Sequence, residues 1–197
     1  VDIDLDGAAD PVWITYDGVY TLGEDDSGAA TLIEVSAPDI LNPKSGPRMS
    51  VAVLDVEGDG QEELMLVGQS AQILGVTAPY TLERKPYELP VLPAVLVIDM
   101  AVGDFNGDGR VDVLLGLGIF STERIERRGY PDMLLMNQGF GRFELMTVEP
   151  SRECYTHGIT AVDMNGDGRL DIVESCDVSY FVGPSRVLIN QTAAGAV

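Results

Sequence analysis

Four stretches of this 197-residue chain repeat one order of residue types: acid, any, acid or Asn, any, Asp, Gly, any, any, acid. They occupy residues 2–10, 55–63, 104–112 and 163–171 and start 53, 49 and 59 residues apart. A unit recurring about every 50 residues marks a repeat architecture, in which each unit buries its apolar faces against its neighbours. Short aliphatic runs flank the loops: Ser50-Val51-Ala52-Val53-Leu54 before the second, Leu64-Met65-Leu66-Val67 after it, and Val111-Asp112-Val113-Leu114-Leu115 and Leu170-Asp171-Ile172-Val173 after the third and fourth. Such runs read as strands. Each loop is therefore expected to join two strands of a hairpin in an all-β chain.

The loop chemistry points to a hard cation. Positions 1, 3 and 5 aim side-chain oxygens at one centre, Gly at position 6 permits the sharp turn, position 7 offers a backbone carbonyl and position 9 a further carboxylate. The expected calcium ligands are Asp2, Asp4, Asp6, the Ala8 carbonyl and Asp10; Asp55, Glu57, Asp59, the Gln61 carbonyl and Glu63; Asp104, Asn106, Asp108, the Arg110 carbonyl and Asp112; and Asp163, Asn165, Asp167, the Arg169 carbonyl and Asp171. The third and fourth loops fit the pattern best; the second departs at Glu57 and Glu63. Magnesium prefers a rigid octahedron with several waters. Zinc and copper are disfavoured by loops without His or Cys. An EF-hand needs Glu at position 12, but the residues there are Trp13, Leu66, Leu115 and Glu174.

Strands are expected at 11–16, 19–22 and 30–36 around the first loop, at 49–55, 63–68, 72–76 and 80–84 around the second, at 95–104, 111–117, 132–137 and 142–148 around the third, and at 158–163, 170–176 and 185–190 around the fourth. The repeats then run approximately 1–48, 49–94, 95–157 and 158–197, with the first and last incomplete. Residues 121–129, with Glu123, Arg124, Glu126, Arg127 and Arg128, read as a solvated insertion.

The net charge is −20, from 32 acids against 12 bases, and fourteen of the acids are proposed ligands. Four calcium ions would leave about −12. This acidity excludes a nucleic-acid partner, for which a basic surface is expected. No apolar run is long enough for a membrane span. The only cysteines are Cys154 and Cys176. A regular fourth hairpin brings them within reach of a disulfide; two buried free thiols are the alternative. A disulfide and weak calcium cages both favour an extracellular, cell-surface or periplasmic setting.

Residues 102–116, Val-Gly-Asp-Phe-Asn-Gly-Asp-Gly-Arg-Val-Asp-Val-Leu-Leu-Gly, resemble an FG-GAP repeat, also met as VCBS-type repeats in bacterial surface proteins. Residues 160–173 resemble it too, and residues 133–143 resemble the later half of such a unit. Similar repeats occur in integrin α-subunit heads and cartilage-acidic-protein-like domains. The resemblance implies a β-propeller of four-stranded antiparallel blades, with about four repeats here and incomplete terminal blades. The chain is then a piece of a larger propeller, or its partial blades complete each other, or another chain completes them.

The expected function is that of a calcium-binding, non-enzymatic propeller acting in adhesion or protein–protein assembly, with calcium structural. The alternative is a carbohydrate-binding propeller, or the propeller domain of a larger secreted enzyme. A glycan would need exposed aromatics, for which Tyr80, Tyr87 and Tyr130 are candidates and Trp13 reads as a buried strand residue. Cys154 and His157, three apart, resemble a nucleophile–base pair but fall where a strand enters the repeat.

Overall fold

A computed structural model of the chain describes residues 1–15, 18–25, 27–37, 50–68, 70–93, 96–121, 126–148, 154–176 and 184–192. Fifteen strands and no helix lie among them. The first sheet has the order β1 (Val12–Ile14), β2 (Val19–Glu24), β3 (Ala30–Val35). The second runs β4 (Ser50–Leu54), β5 (Glu63–Val67), β6 (Ala71–Ala78), β7 (Thr81–Arg84). The third contains β8 (Leu96–Gly103), β9 (Asp112–Ser121), β10 (Glu126–Gly129), β11 (Met133–Gly139) and β12 (Arg142–Thr147), ordered β10-β9-β11-β12 with β8 also paired to β9. The fourth runs β13 (Thr156–Val162), β14 (Asp171–Cys176), β15 (Arg186–Leu188). All strand pairings within the sheets are antiparallel. The expected four-stranded unit is met by the second sheet, while hydrogen bonding does not join the sheets into a ring among the described residues.

Alternation decides how the sheets stack. Successive side chains of a strand point to opposite faces. In β5, Leu64 and Leu66 enter one apolar cluster with Val1, Ile3, Val19 and Val35, whereas Met65 and Val67 enter a second with Val113, Leu115 and Leu117 of β9. Leu114 points the other way and packs in a third cluster with Phe105, Ile159 and Ile172. Three clusters thus fill the three spaces between four sheets. A central strand buried on both faces must be apolar throughout, which is why β5 and β9 read as unbroken aliphatic runs. Each fully buried aliphatic side chain contributes about 1.5–3 kcal/mol. Close approach also selects Gly103, where a Cβ would come within 2.3 Å of Leu170 Cδ1.

The sheets are also tied by backbone. The Tyr80 N–H donates to Ile3 O at 2.8 Å, Asn137 Nδ2 to Val56 O at 2.9 Å, and Asn190 Nδ2 to Phe105 O at 2.8 Å. In each case the second residue of a loop gives its carbonyl to the next sheet. Isolated parallel bridges, Ser36 with Thr81 and Glu88 with Arg142, add the same sheet-to-sheet step at the outer strands.

Two expectations are corrected. Trp13 is 44% exposed rather than buried, because its face of the first sheet has no neighbouring sheet among the described residues. The stretch read as a solvated insertion contains β10, which extends the β9 hairpin. Glu123 and Arg124, and the side chains of Glu126, Arg127 and Arg128, lie outside the described residues.

Leu115→Ala, at a site 1% exposed, is expected to cost about 2–5 kcal/mol in urea unfolding. Val53→Ala, at a site 40% exposed, should stay within about 0.5 kcal/mol. Equal costs would contradict the two-faced packing.

Candidate metal centres

Each acidic loop folds around its first Asp. Asp104 Oδ1 accepts from Gly107 N at 2.7 Å and Asp108 N at 3.1 Å, and Oδ2 from Gly109 N at 2.8 Å. Asp163 repeats this with Gly166, Asp167 and Gly168, and Asp55 with Gly58, Asp59 and Gly60. Asp2 accepts from Asp6 N and Gly7 N. These turns need positive φ at position 6, met by Gly7, Gly60, Gly109 and Gly168. Position 4 also has positive φ; three copies have Gly there, but the first has Leu5 at φ 63°. The Gly168 N–H and its neighbours hold the Asp163 carboxyl below the usual range.

Position 9 staples the loop to its strands. Asp112 accepts from Phe105 N at 3.0 Å and from Asn137 N at 2.8 Å. Asp171 does the same with Met164 N at 2.9 Å and Asn190 N at 2.8 Å. Glu63 accepts from Val56 N, and Asp10 from Ile3 N. Burial pushes Asp112 up to about 6 and raises Glu63. Asn137 and Asn190 are therefore part of the loop unit, each holding its position-9 acid and the preceding sheet. Sequence reasoning missed this role, although the repeated Asn-Gln of residues 137–138 and 190–191 was a signal.

The loops differ in their own cations. Arg110 Nη2 bonds Asp108 Oδ2 and Arg169 Nη2 bonds Asp167 Oδ2, so the position-5 acids of the third and fourth loops are already paired. Asn106 Nδ2 and Asn165 Nδ2 donate to the same two oxygens. In the second loop the Lys85 ammonium lies 3.7 Å from Glu57 and 3.4 Å from Glu63. The first loop has Ala8 at position 7, and carboxylate oxygens of Asp2, Asp4 and Asp10 lie within 4.8 Å of one another. Asp6, Asp59 and Asn106 each accept the N–H two residues on, from Ala8, Gln61 and Asp108. The donor sets are all oxygen and suit calcium chemically. The first loop brings its acids together with no paired basic side chain among the described residues.

Cys154 and Cys176 are joined in a disulfide with a Cα–Cα distance of 5.5 Å, which decides between the two states the sequence left open. The Cys154 thiol is thus not available as a nucleophile, and His157 is exposed on β13 with its ring 5.4 Å from that of Tyr155. Beside the disulfide lies a buried acid pair that sequence reasoning missed. Asp132, 1% exposed, accepts from Leu117 N at 2.8 Å and Thr156 Oγ1 at 2.9 Å. Burial, with the Glu174 carboxylate against it, pushes Asp132 up to about 7. Glu174 Oε2 bonds Arg186 Nε, while Oε1 has no hydrogen-bond donor among the described residues.

The aromatic candidates are mostly packed. Tyr80 is half-buried with its hydroxyl 3.4 Å from Asp4 Oδ2, Tyr87 lies over Gly141, and Tyr130 packs on the second-to-third-sheet cluster. Among the described residues the large exposed aromatics are Trp13 and Phe140, the latter fully exposed at the β11–β12 turn.

Residues 104–174 match the family described as FG-GAP-like repeat, and the chain carries FG-GAP-type repeat sequence over that stretch. No curated protein matches the sequence. Among solved structures the chain is similar to a lectin from Agrocybe aegerita, described for its specific recognition of non-reducing terminal N-acetylglucosamine, at 19% identity and a TM-score of 0.52 over 94% of this chain and 50% of that one. It is also similar to a cryo-EM structure of RAG with one melted and one unmelted RSS, at 15% identity and a TM-score of 0.47 over 97% of this chain and 67% of that one. The chain spans half the length of the lectin chain that it matches.

Asp132 keeps a proton in the folded chain from its ordinary ~3.9 up to about 7, a range in which the unfolded chain has released it. Its penalty is full above that value and fades as pH falls. In chelator, the melting temperature of the chain relative to Asp132→Asn should therefore rise as pH drops from 8 to 5; a constant difference would count against the raised Asp132 value.

Proposed function

We propose that the chain is a calcium-stabilised segment of a β-propeller, non-catalytic and working outside the cytosol in adhesion or protein assembly. The observation that carries the reading is the fourfold recurrence of one acidic loop wound around its first Asp, which in the last three copies joins the first two strands of a sheet. Asp2, Asp4, Asp6, Asp10 and the Ala8 carbonyl would hold the most receptive ion, since Asp2, Asp4 and Asp10 converge with no basic side chain paired to them among the described residues. In the third and fourth loops calcium competes with Arg110 and Arg169, and in the second with Lys85. Bound calcium would offset the mutual repulsion of the carboxylates and tie each loop's strands. The disulfide and the millimolar calcium that weak cages require support a site outside the cytosol. Phe140, fully exposed at a hairpin tip, offers a protein partner an apolar contact.

A glycan partner is the second reading. Exposed Trp13 and Phe140 favour it, since an aromatic face is an apolar surface on which a ring can stack. Calorimetry with N-acetylglucosamine tests this, and absence of heat removes that sugar as a ligand.

The calcium reading is tested by thermal unfolding. At calcium tenfold above a dissociation constant of ~0.1 mM, each occupied site adds about 1.4 kcal/mol. The melting temperature should rise in calcium over chelator, Asp4→Ala should remove the largest share of that rise, and Lys85→Gln should enlarge it. Identical melts in calcium and chelator would sink the metal role of all four loops.

A further inference from the structure

The end of the β13–β14 hairpin gathers sulfur and carboxylate in one buried spot. Side chains two apart on a strand share a face, so Glu174 and Cys176 of β14 point the same way. Cys176 stands opposite Thr156 in register, and Cys154 lies two residues before Thr156. Glu174, Cys154 and Cys176 are all buried. One ligand atom from each, the two sulfurs and a Glu174 oxygen, lies within 4.8 Å of the others. The edge of a tetrahedron around zinc, with bonds of ~2.0–2.3 Å, is roughly 3.3–3.8 Å. Small side-chain rotations therefore suffice to set the three atoms around one ion once the sulfurs are no longer bonded to each other.

Glu174 is held as a ligand would be. Its Oε2 is fixed by Arg186 Nε, while Oε1, fully buried, has no hydrogen-bond donor among the described residues. A buried carboxylate oxygen without a donor is costly, and a cation would satisfy it. Arg186 thus takes the part of the outer partner that orients a ligating carboxylate. The Thr156 hydroxyl lies 3.4 Å from Cys154 Sγ and 2.9 Å from Asp132 Oδ1, which brings a second buried carboxylate beside the three. The repeat does not demand an acid at this place, since Leu66 and Leu115 stand there in the second and third copies.

We infer that reduction of the Cys154–Cys176 disulfide opens a zinc site made of the two sulfurs and Glu174 Oε1, with a fourth position beside Asp132. A dithiol reductant supplies two electrons and two protons: the S–S bond breaks, both cysteines become thiols, and the dithiol becomes a disulfide. Zinc then displaces both thiol protons to solvent and is held by the thiolates. Two thiolates and one carboxylate suit zinc, whereas the all-oxygen loops suit calcium. The same end of the hairpin is closed by a covalent bond in the oxidised chain and by an ion in the reduced one, and oxidation releases the zinc. This site depends on neither the calcium loops nor the propeller reading.

The test uses the full chain without oxygen, reduced by a phosphine, which takes up oxygen from water as it converts the disulfide to two thiols. Calcium is kept in excess as a competitor at oxygen-only sites. Cobalt(II) should give the near-ultraviolet absorption of thiolate ligation and the visible bands of tetrahedral geometry, and one zinc per chain should bleach both. The oxidised chain should give neither. Glu174→Gln should weaken zinc by about tenfold or more, and Cys176→Ser should abolish tight binding. Zinc should raise the melting temperature of the reduced chain more than that of the oxidised one. A reduced chain without thiolate absorption overturns the inference. So does zinc affinity that Glu174→Gln leaves unchanged, which would mark two thiols acting without a built site. A melting temperature lowered by zinc also overturns it, since the ion would then prefer the unfolded dithiol.

Discussion

Every unit here depends on burial of both faces of its central strand. A lone sheet of three or four strands with Leu64, Met65, Leu66 and Val67 in one strand has an apolar surface on each side and cannot shield both. Stacking solves this only by adding another sheet, which presents the same problem on its far side. Stability therefore accumulates between neighbours, as in other repeat proteins, and the interior sheets gain from two contacts where the end sheets gain from one. The backbone ties at Ile3, Val56 and Phe105 follow from that stacking, since they satisfy carbonyls that the next sheet would otherwise bury unpaired.

The acidic loops are built at the entrance of those central strands, and their carboxylates have two separate tasks. Asp55, Asp104 and Asp163 gather the N–H groups of their own turns. Asp112 and Asp171 reach across to the strands. The charge this concentrates has to be compensated. Arg110 and Arg169 do it from within the loop and Lys85 from the end of β7, whereas the first loop has no such partner among the described residues.

The fourth sheet departs from its siblings where Glu174 stands at the position of Leu66 and Leu115. Replacing a core Leu by an acid requires compensation, which comes from Arg186 on β15, and the acid lies against a second buried carboxyl, Asp132, whose value it raises. The disulfide closes the same end of the β13–β14 hairpin. A polar and covalent lock thus replaces aliphatic packing at that point of the sheet.

The residue order by itself determined the loops, the hairpins that flank them and the all-β class, because turn glycines, alternate acids and aliphatic runs act over a few residues. Strands near β5, β11 and β14 were legible within about two residues for this reason, while β9 runs four residues beyond its expected end. The tertiary structure alone decided which loop acids meet a basic side chain, that Trp13 faces outward, that Asp132 is buried against Glu174 and that the cysteines are bonded. The outward face of Trp13 and the approach of Asp132 to Glu174 are settled by which sheets lie against one another, whereas Lys85 reaches Glu63, 22 residues away, and Cys154 reaches Cys176 by pairing within one sheet. Asn190 is 85 residues from the carbonyl it binds on another sheet. Local pattern specifies a strand or a turn, but the distance between two side chains on different sheets exists only once the sheets have stacked.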